Sequence, residues 1–218
     1  MAKKKEITKD EIIGLYMNYI LEHNSKPKSV YSFAKLNRFE EATFYIYFGS
    51  FEALEKEVFS NFFTNTIEIL EADKSYVTFD ARNKLLSFYF TFFENLTANR
   101  SYVVYALNGN KNNLKGILVL SKLKQHFSKY IANLDIETLD IKQETFEKIQ
   151  TKALQESAWI QLLMAMKFWF EDTSSGFEKT DIFIEKSVNT SFDVLNVAPL
   201  KSVIDFGKFL FKEKMHMN

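Results

Sequence analysis

Few residues in this chain are placed to catalyse anything. The three histidines, His23, His126 and His216, lie far apart, with no pair at i,i+4 and no His-Glu-x-x-His pattern to hold zinc. His23 falls at the end of an expected helix and His126 beside Lys122 and Lys129, positions that suit capping or solvated side chains. Carboxylates are many but scattered over polar faces, and pairs such as Glu55 and Glu57 read as solvated surface. Cysteine is absent, which removes thiol catalysis, thiolate metal sites and disulfides, and fits a reducing compartment. The sequence has no glycine-rich phosphate loop and no nucleophile elbow. The expectation is a protein that is not an enzyme and holds no metal and no cofactor.

The chemistry that remains is recognition. A segment at 80–98 carries Leu85, Leu86, Phe88, Tyr89, Phe90, Phe92, Phe93 and Leu96, apolar around most of a helix, and such a helix is buried on several sides. A segment at 143–171 is similar near its end, from Trp159 to Phe170. Both fit an aromatic-rich core. Both also fit the lining of a cavity, because ligand sites are mostly apolar with a few orienting polar groups, and bundles form them between helices. On that reading Phe88, Tyr89, Phe92, Tyr105, Trp159, Leu163, Met166 and Lys167 line a ligand pocket. Tyr89, Tyr105, Gln155, Gln161 and Lys167 supply its polar groups, and Met164 and Met166 let it adapt its shape.

The elements that must position these residues are helical nearly throughout. The chain has 218 residues, 46% of them hydrophobic, with only 6 Gly and 2 Pro, too few turn formers for an all-β fold. Its 28 Lys+Arg balance 28 Asp+Glu, so any binding to nucleic acid or an anionic membrane needs a local patch. The basic start MAKKKEITKD is followed by no apolar signal core, and no window approaches 18 uninterrupted apolar residues, so a cytoplasmic protein is expected. Thr8-Lys9-Asp10-Glu11 reads as a capping box opening a helix with Ile12, Ile13, Tyr16, Tyr19 and Ile20 on one face. Ser29 caps a short second helix through Lys35, and Leu36-Asn37-Arg38-Phe39 is a tight turn. A third helix runs from Glu40 to about Tyr47, and Ser50 caps a longer fourth. Further helices are expected at roughly 80–98, 101–107, 113–132, 143–171, 177–195 and 199–214.

Three short helices with a tight turn between the second and third make a helix-turn-helix, whose third helix enters the major groove. The same geometry fits a small helical subdomain with no partner. The residues add more. Phe39-Glu40-Glu41-Ala42-Thr43-Phe44-Tyr45-Ile46-Tyr47-Phe48, then Gly49-Ser50-Phe51-Glu52-Ala53-Leu54, closely resembles the recognition-helix signature of the TetR family of regulators. Ser29 to Lys35 looks like that family's second helix. The resemblance implies an all-α, TetR-like fold: an N-terminal three-helix unit at 1–49 and a C-terminal helical bundle at 50–218 for ligand binding and dimerisation. It implies a homodimeric transcriptional regulator that binds a palindromic DNA operator and is controlled by an apolar small molecule, with the fourth helix as lever. The hydroxyls of Thr43, Tyr45 and Tyr47 match the family's backbone-contacting positions, Lys26, Lys28, Lys35 and Arg38 lie on the approach to the recognition helix, and Ser29 is also expected to meet DNA. Lys3, Lys4 and Lys5 would form an arm along a groove.

The chain also departs from that pattern. Glu40 and Glu41 stand where a small or basic pair is usual, Ile46 where a basic or hydrogen-bonding residue is common, and Gly49 and Phe51 where lysines flank the cap. Residues 1–56 hold nine Lys+Arg against eight Asp+Glu, a net of +1, and duplex affinity depends on the number of phosphates neutralised.

The resemblance further implies that the closing helices of two subunits pack together, through Phe183, Val188 and Phe192 of one and Val203, Phe206 and Leu210 of the next. Alternatively the last helix lies on lipid, since Lys201, Lys208, Lys212 and Lys214 accompany Phe206, Phe209 and Phe211. The stretch from Trp169 through Asp172, Ser174 and Thr180 to Ile184 is similar to part of COQ9-type proteins, which keep the TetR fold without its DNA binding and hold isoprenoid lipids. That likeness implies the alternative function, a TetR-fold protein that binds a lipid and no operator.

Overall fold

The computed structural model describes residues 7–108, 118–136 and 144–195, with 206, 207 and 209. Among the described residues every regular element is helical. None of the described helices is long and apolar enough to cross a membrane. By its internal contacts the chain forms two compact units, Met1–Ile69 with Thr91–Phe127, and Leu70–Phe90 with Ser128–Asn218.

The first unit begins with α1 (Lys9–His23). Its capping box forms as expected: Thr8 Oγ1 accepts from the Glu11 amide at 3.2 Å, and Glu11 Oε2 accepts from the Thr8 amide at 2.8 Å. The helix ends at Asn24, whose left-handed backbone (φ 48°) turns its amide onto the Ile20 carbonyl. Helix α2 (Val30–Leu36) opens on a reciprocal pair, Ser29 and Ser32, each hydroxyl accepting from the other's amide. It closes on a Schellman arrangement: the Phe39 amide donates to Ala34 O and the Arg38 amide to Lys35 O. The left-handed position of that motif normally belongs to glycine, and here Arg38 occupies it at φ 59°.

Helix α3 (Glu41–Tyr47) follows at once, and α4 runs unbroken over Phe51–Ala72, with Ser50 Oγ accepting from the Ala53 amide. Phe33 is fully buried and meets Phe39, Phe44 and Phe51 edge-on at centroid distances of 5.7–6.5 Å. Edge-to-face packing of this kind fixes the angles between short helices that could not hold themselves. Helix α6 (Arg100–Asn108) packs against α1.

One expectation fails here. Glu55 and Glu57 are not solvated surface. Glu55 is 5% exposed and accepts a 2.6 Å hydrogen bond from the Tyr16 hydroxyl, with Lys26 Nζ 2.7 Å from one carboxylate oxygen and 2.8 Å from the other. The reason is register: Glu55 falls between Phe51, Leu54, Val58 and Phe59, inside the stripe that α4 buries. Glu57 is gripped by Lys9 and Lys122. Burial pushes its carboxyl up, but the hydrogen bonds and charges of those two lysines outweigh burial and hold it below the usual range.

The second unit contains the first half of α5 (Ala81–Ala98), the end of α7 (Ser121–Asn133), α8 (Glu144–Glu171) and α9 (Glu178–Leu195). Its core holds Leu85, Phe88, Tyr89, Trp159, Leu162, Met166, Trp169, Ile184 and Val188. Phe168 stacks on Phe183 at 4.7 Å and 11° between α8 and α9. The turn joining those helices is organised by Asp172. One carboxylate oxygen accepts from the amide and hydroxyl of Ser174 (2.8 and 2.6 Å), the other from those of Thr180 (2.9 and 2.7 Å). The Ser174 hydroxyl, helped by the other three donors, holds the Asp172 carboxyl far below the usual range against the opposing effect of burial. A single turn of 3₁₀ helix at Tyr76–Thr78, which periodicity did not suggest, precedes α5. Val203, Leu210, most of the expected 199–214 helix, and Lys3 to Lys5 lie outside the described residues.

Candidate functional site

The first unit presents α3 outward. Phe44 is its fully buried residue, and Tyr45, Ile46 and Tyr47 are 53%, 75% and 41% exposed. Lys28, Ser29, Lys35 and Arg38 are exposed and Thr43 is half-buried. The Lys35 ammonium sits 5.9 Å over the Tyr31 ring. Lys26 is paired with Glu55. Glu40 is exposed and stands at the N-cap of α3 without a side-chain capping bond, and Glu41 is half-buried.

His23 Nδ1 lies 3.0 Å from Tyr19 O, as suits a residue at a helix end. His126 is half-buried with its ring stacked 5.5 Å from Phe63, so it is a packing residue and not a solvated one. Among the described residues no three His, Asp or Glu side chains cluster to hold a metal ion.

The second unit contains a groove of about 570 Å³ between α8, α9 and the ends of α5 and α7. Leu85, Ile131, Leu154, Ala158, Phe192 and Leu195 form its apolar wall, and Gln150, Ser157, Gln161 and Ser191 give it a polar edge. None of its described lining residues is charged. Gln161 is held in place, donating to Ser187 Oγ at 3.3 Å and accepting from Ser191 Oγ at 3.4 Å. At the α9 end, the Arg82 guanidinium lies 5.4 Å over the Phe192 ring and donates to Asp193 (2.7 Å) and Asn189 (3.2 Å).

Of the residues expected to line a pocket, Phe88, Tyr89, Phe92, Trp159 and Met166 are buried, Tyr105 and Leu163 half-buried, and Lys167 exposed. Phe92 and Tyr105 belong to the first unit and the other six to the second. None of the eight lines the groove, although Gln161, one of the expected polar groups, does. Gln155 instead donates to the Ser128 carbonyl at 3.0 Å. Burial drives the Tyr89 hydroxyl well above the ordinary tyrosine range, as befits a core residue. The signal that marks the groove is the small side chains Ala153 and, one turn on along α8, Ser157 and Ala158, which leave space that large ones would fill.

Of the residues expected at a subunit contact, Phe183 is half-buried against Phe168, Val188 is fully buried, Phe192 lines the groove, and Phe206 is exposed. Ile160, Met164 and Phe168, expected from the sequence to be core or cavity lining, instead form an exposed apolar stripe every four residues along α8.

No curated protein matches the chain. The family profile described as the tetracyclin repressor-like C-terminal domain matches residues 84–210, more than half of the sequence and including α8 and α9. An all-helical chain matched over that span, with an outward-facing third helix ahead of it, belongs to the TetR family.

Proposed function

We propose that this chain is a homodimeric transcriptional regulator, with residues 1–49 as its DNA-binding head and 50–218 as its ligand-binding and dimerisation part. The observation that carries this reading is the outward aim of α3, with Phe44 buried, Tyr45, Ile46 and Tyr47 exposed, and Lys28, Ser29, Lys35 and Arg38 exposed as well. Two such heads engage consecutive major grooves when about 34–36 Å apart, so a palindromic operator matches the two-fold axis of a dimer. The exposed stripe of Ile160, Met164 and Phe168 is the face that a second copy would cover. The groove, apolar and uncharged among its described residues, suits an apolar molecule with one or two hydrogen-bonding groups, which Gln161 and Ser191 would orient. Such a guest would alter the spacing of the heads, with α4 as the lever. Such a protein works in the cytoplasm. The test is selection of genomic fragments by the purified protein: a palindrome is expected, bound with affinity that falls steeply as salt rises. Weak binding blind to sequence would overturn the reading.

A second reading, a lipid- or isoprenoid-binding protein that has lost its operator, is favoured by Glu40 and Glu41 and by the head's net charge of +1. Native mass spectrometry distinguishes the two. A copurified lipid on a protein that retains no duplex supports the second, and Glu41→Lys should then restore some non-specific duplex affinity.

A further inference from the structure

Residues 40–47 contain no Lys, Arg, Asn or Gln. Those are the side chains that read guanine or adenine by bidentate hydrogen bonds in the major groove. The most exposed apolar side chain on the helix is instead Ile46. Its aim follows from helical geometry: Phe44 lies about 200° around the helix, so burying Phe44 turns Ile46 directly away from the head. Tyr45 and Tyr47 stand about 100° to either side, with hydroxyls placed to meet the two flanking backbones. The group on a major-groove base edge that an aliphatic side chain recognises is the thymine C5-methyl. The carboxylates of Glu40 and Glu41 can accept there only from a cytosine or adenine amino group, and they offer nothing to guanine's two acceptors.

We propose that Ile46 is the specificity-determining residue of the head and reads thymine methyl groups, so that each operator half-site is built around T·A pairs. This rests on the DNA-binding reading above and names the bases that reading leaves open.

The test uses the full chain. Sites are first selected from a random duplex library at low salt. Each thymine of the best half-site is then replaced in turn by deoxyuridine, which differs by the methyl group alone. The expected result is a thymine-containing half-site in which one replacement weakens binding about fourfold, the affinity equivalent of one buried methyl. That loss should vanish in Ile46→Ala and persist in Ile46→Val, and the exposure of Ile46 makes both variants safe for folding. A sequence-specific site that ignores deoxyuridine, or a loss unchanged in Ile46→Ala, overturns the inference and leaves the regulator reading standing. Failure to retain any duplex at low salt overturns both.

Discussion

The Tyr16 hydroxyl donates a 2.6 Å hydrogen bond to Glu55, joining the middle of α1 to the first turns of α4 inside the apolar interior of the head. Burial, and then the neighbouring carboxylate, push the Tyr16 hydroxyl far above the ordinary range, so it stays a donor at any working pH. Glu55→Ala leaves that hydroxyl without its acceptor and is expected to lower stability by about 1–3 kcal/mol in urea unfolding. Tyr16→Phe/Glu55→Ala should be less destabilised than the sum of its single variants, because the two groups form one interaction. Additive losses would show that the pair is incidental.

Arg38 is held in the backbone conformation that favours glycine. Arg38→Gly relieves about 1–2 kcal/mol of left-handed strain and costs about 0.5–1 kcal/mol in glycine's added freedom. A small net gain in stability is therefore expected, together with weaker duplex binding from the lost cation. A variant that loses stability would mean that the Arg38 side chain supports the turn itself.

The Asp172 turn carries a pH signature. The folded carboxyl titrates below its unfolded value of about 3.9. Its contribution is therefore complete above roughly pH 5 and is lost as pH falls through the depressed folded value. The melting temperature of Asp172→Asn should lie below that of the natural protein at pH 7, and the gap should begin to narrow below about pH 5 and go on narrowing towards the depressed folded value. A gap that stays constant with pH would sink this account.

Filling the groove should abolish its use. Ser157→Phe occupies the space beside Gln161, and forcing methylenes into filled space costs about 1–3 kcal/mol, so Nile red, an uncharged apolar dye, should bind roughly tenfold more weakly. Leu163→Ala, which does not touch the groove, should leave dye binding unchanged. Equal binding by all three proteins would locate the dye elsewhere.

Ile160→Glu/Met164→Glu places two charges on the exposed stripe of α8 and should convert a dimer to a folded monomer in sedimentation velocity. A dimer that survives both changes would exclude this face.

Local rules made the head legible. The boxes at Thr8 and Ser29, the turn at Leu36 to Phe39 and the stop before Ser50 all lie within a few residues of the groups that satisfy them. The Arg38 turn was visible as a turn but not as a Schellman motif, because no glycine marks it. The position of Glu55 could have been read from its place in the α4 stripe, yet its type argued for solvent and masked the register. The groove escaped for the opposite reason. Large aromatic side chains such as Phe88 and Trp159 attract attention but fill their own space, whereas Ala153, Ser157 and Ala158 look unremarkable and leave it empty.

Glu57 binds Lys9 and Lys122 through its two oxygens, so one carboxylate ties the first turn of α1 to α7. Both lysines reach water, but the charges touch, well inside the screening length of about 10 Å at 0.1 M, and Glu57 is mostly buried, so added electrolyte weakens the clasp only in part. On the DNA-binding reading, any loosening of α1 against α7 adds to the affinity that rising salt removes by reducing the gain from counterion release. A plot of log affinity against log salt would read steeper than the true phosphate count, and Glu57→Gln, with the clasp already open, would give the shallower line.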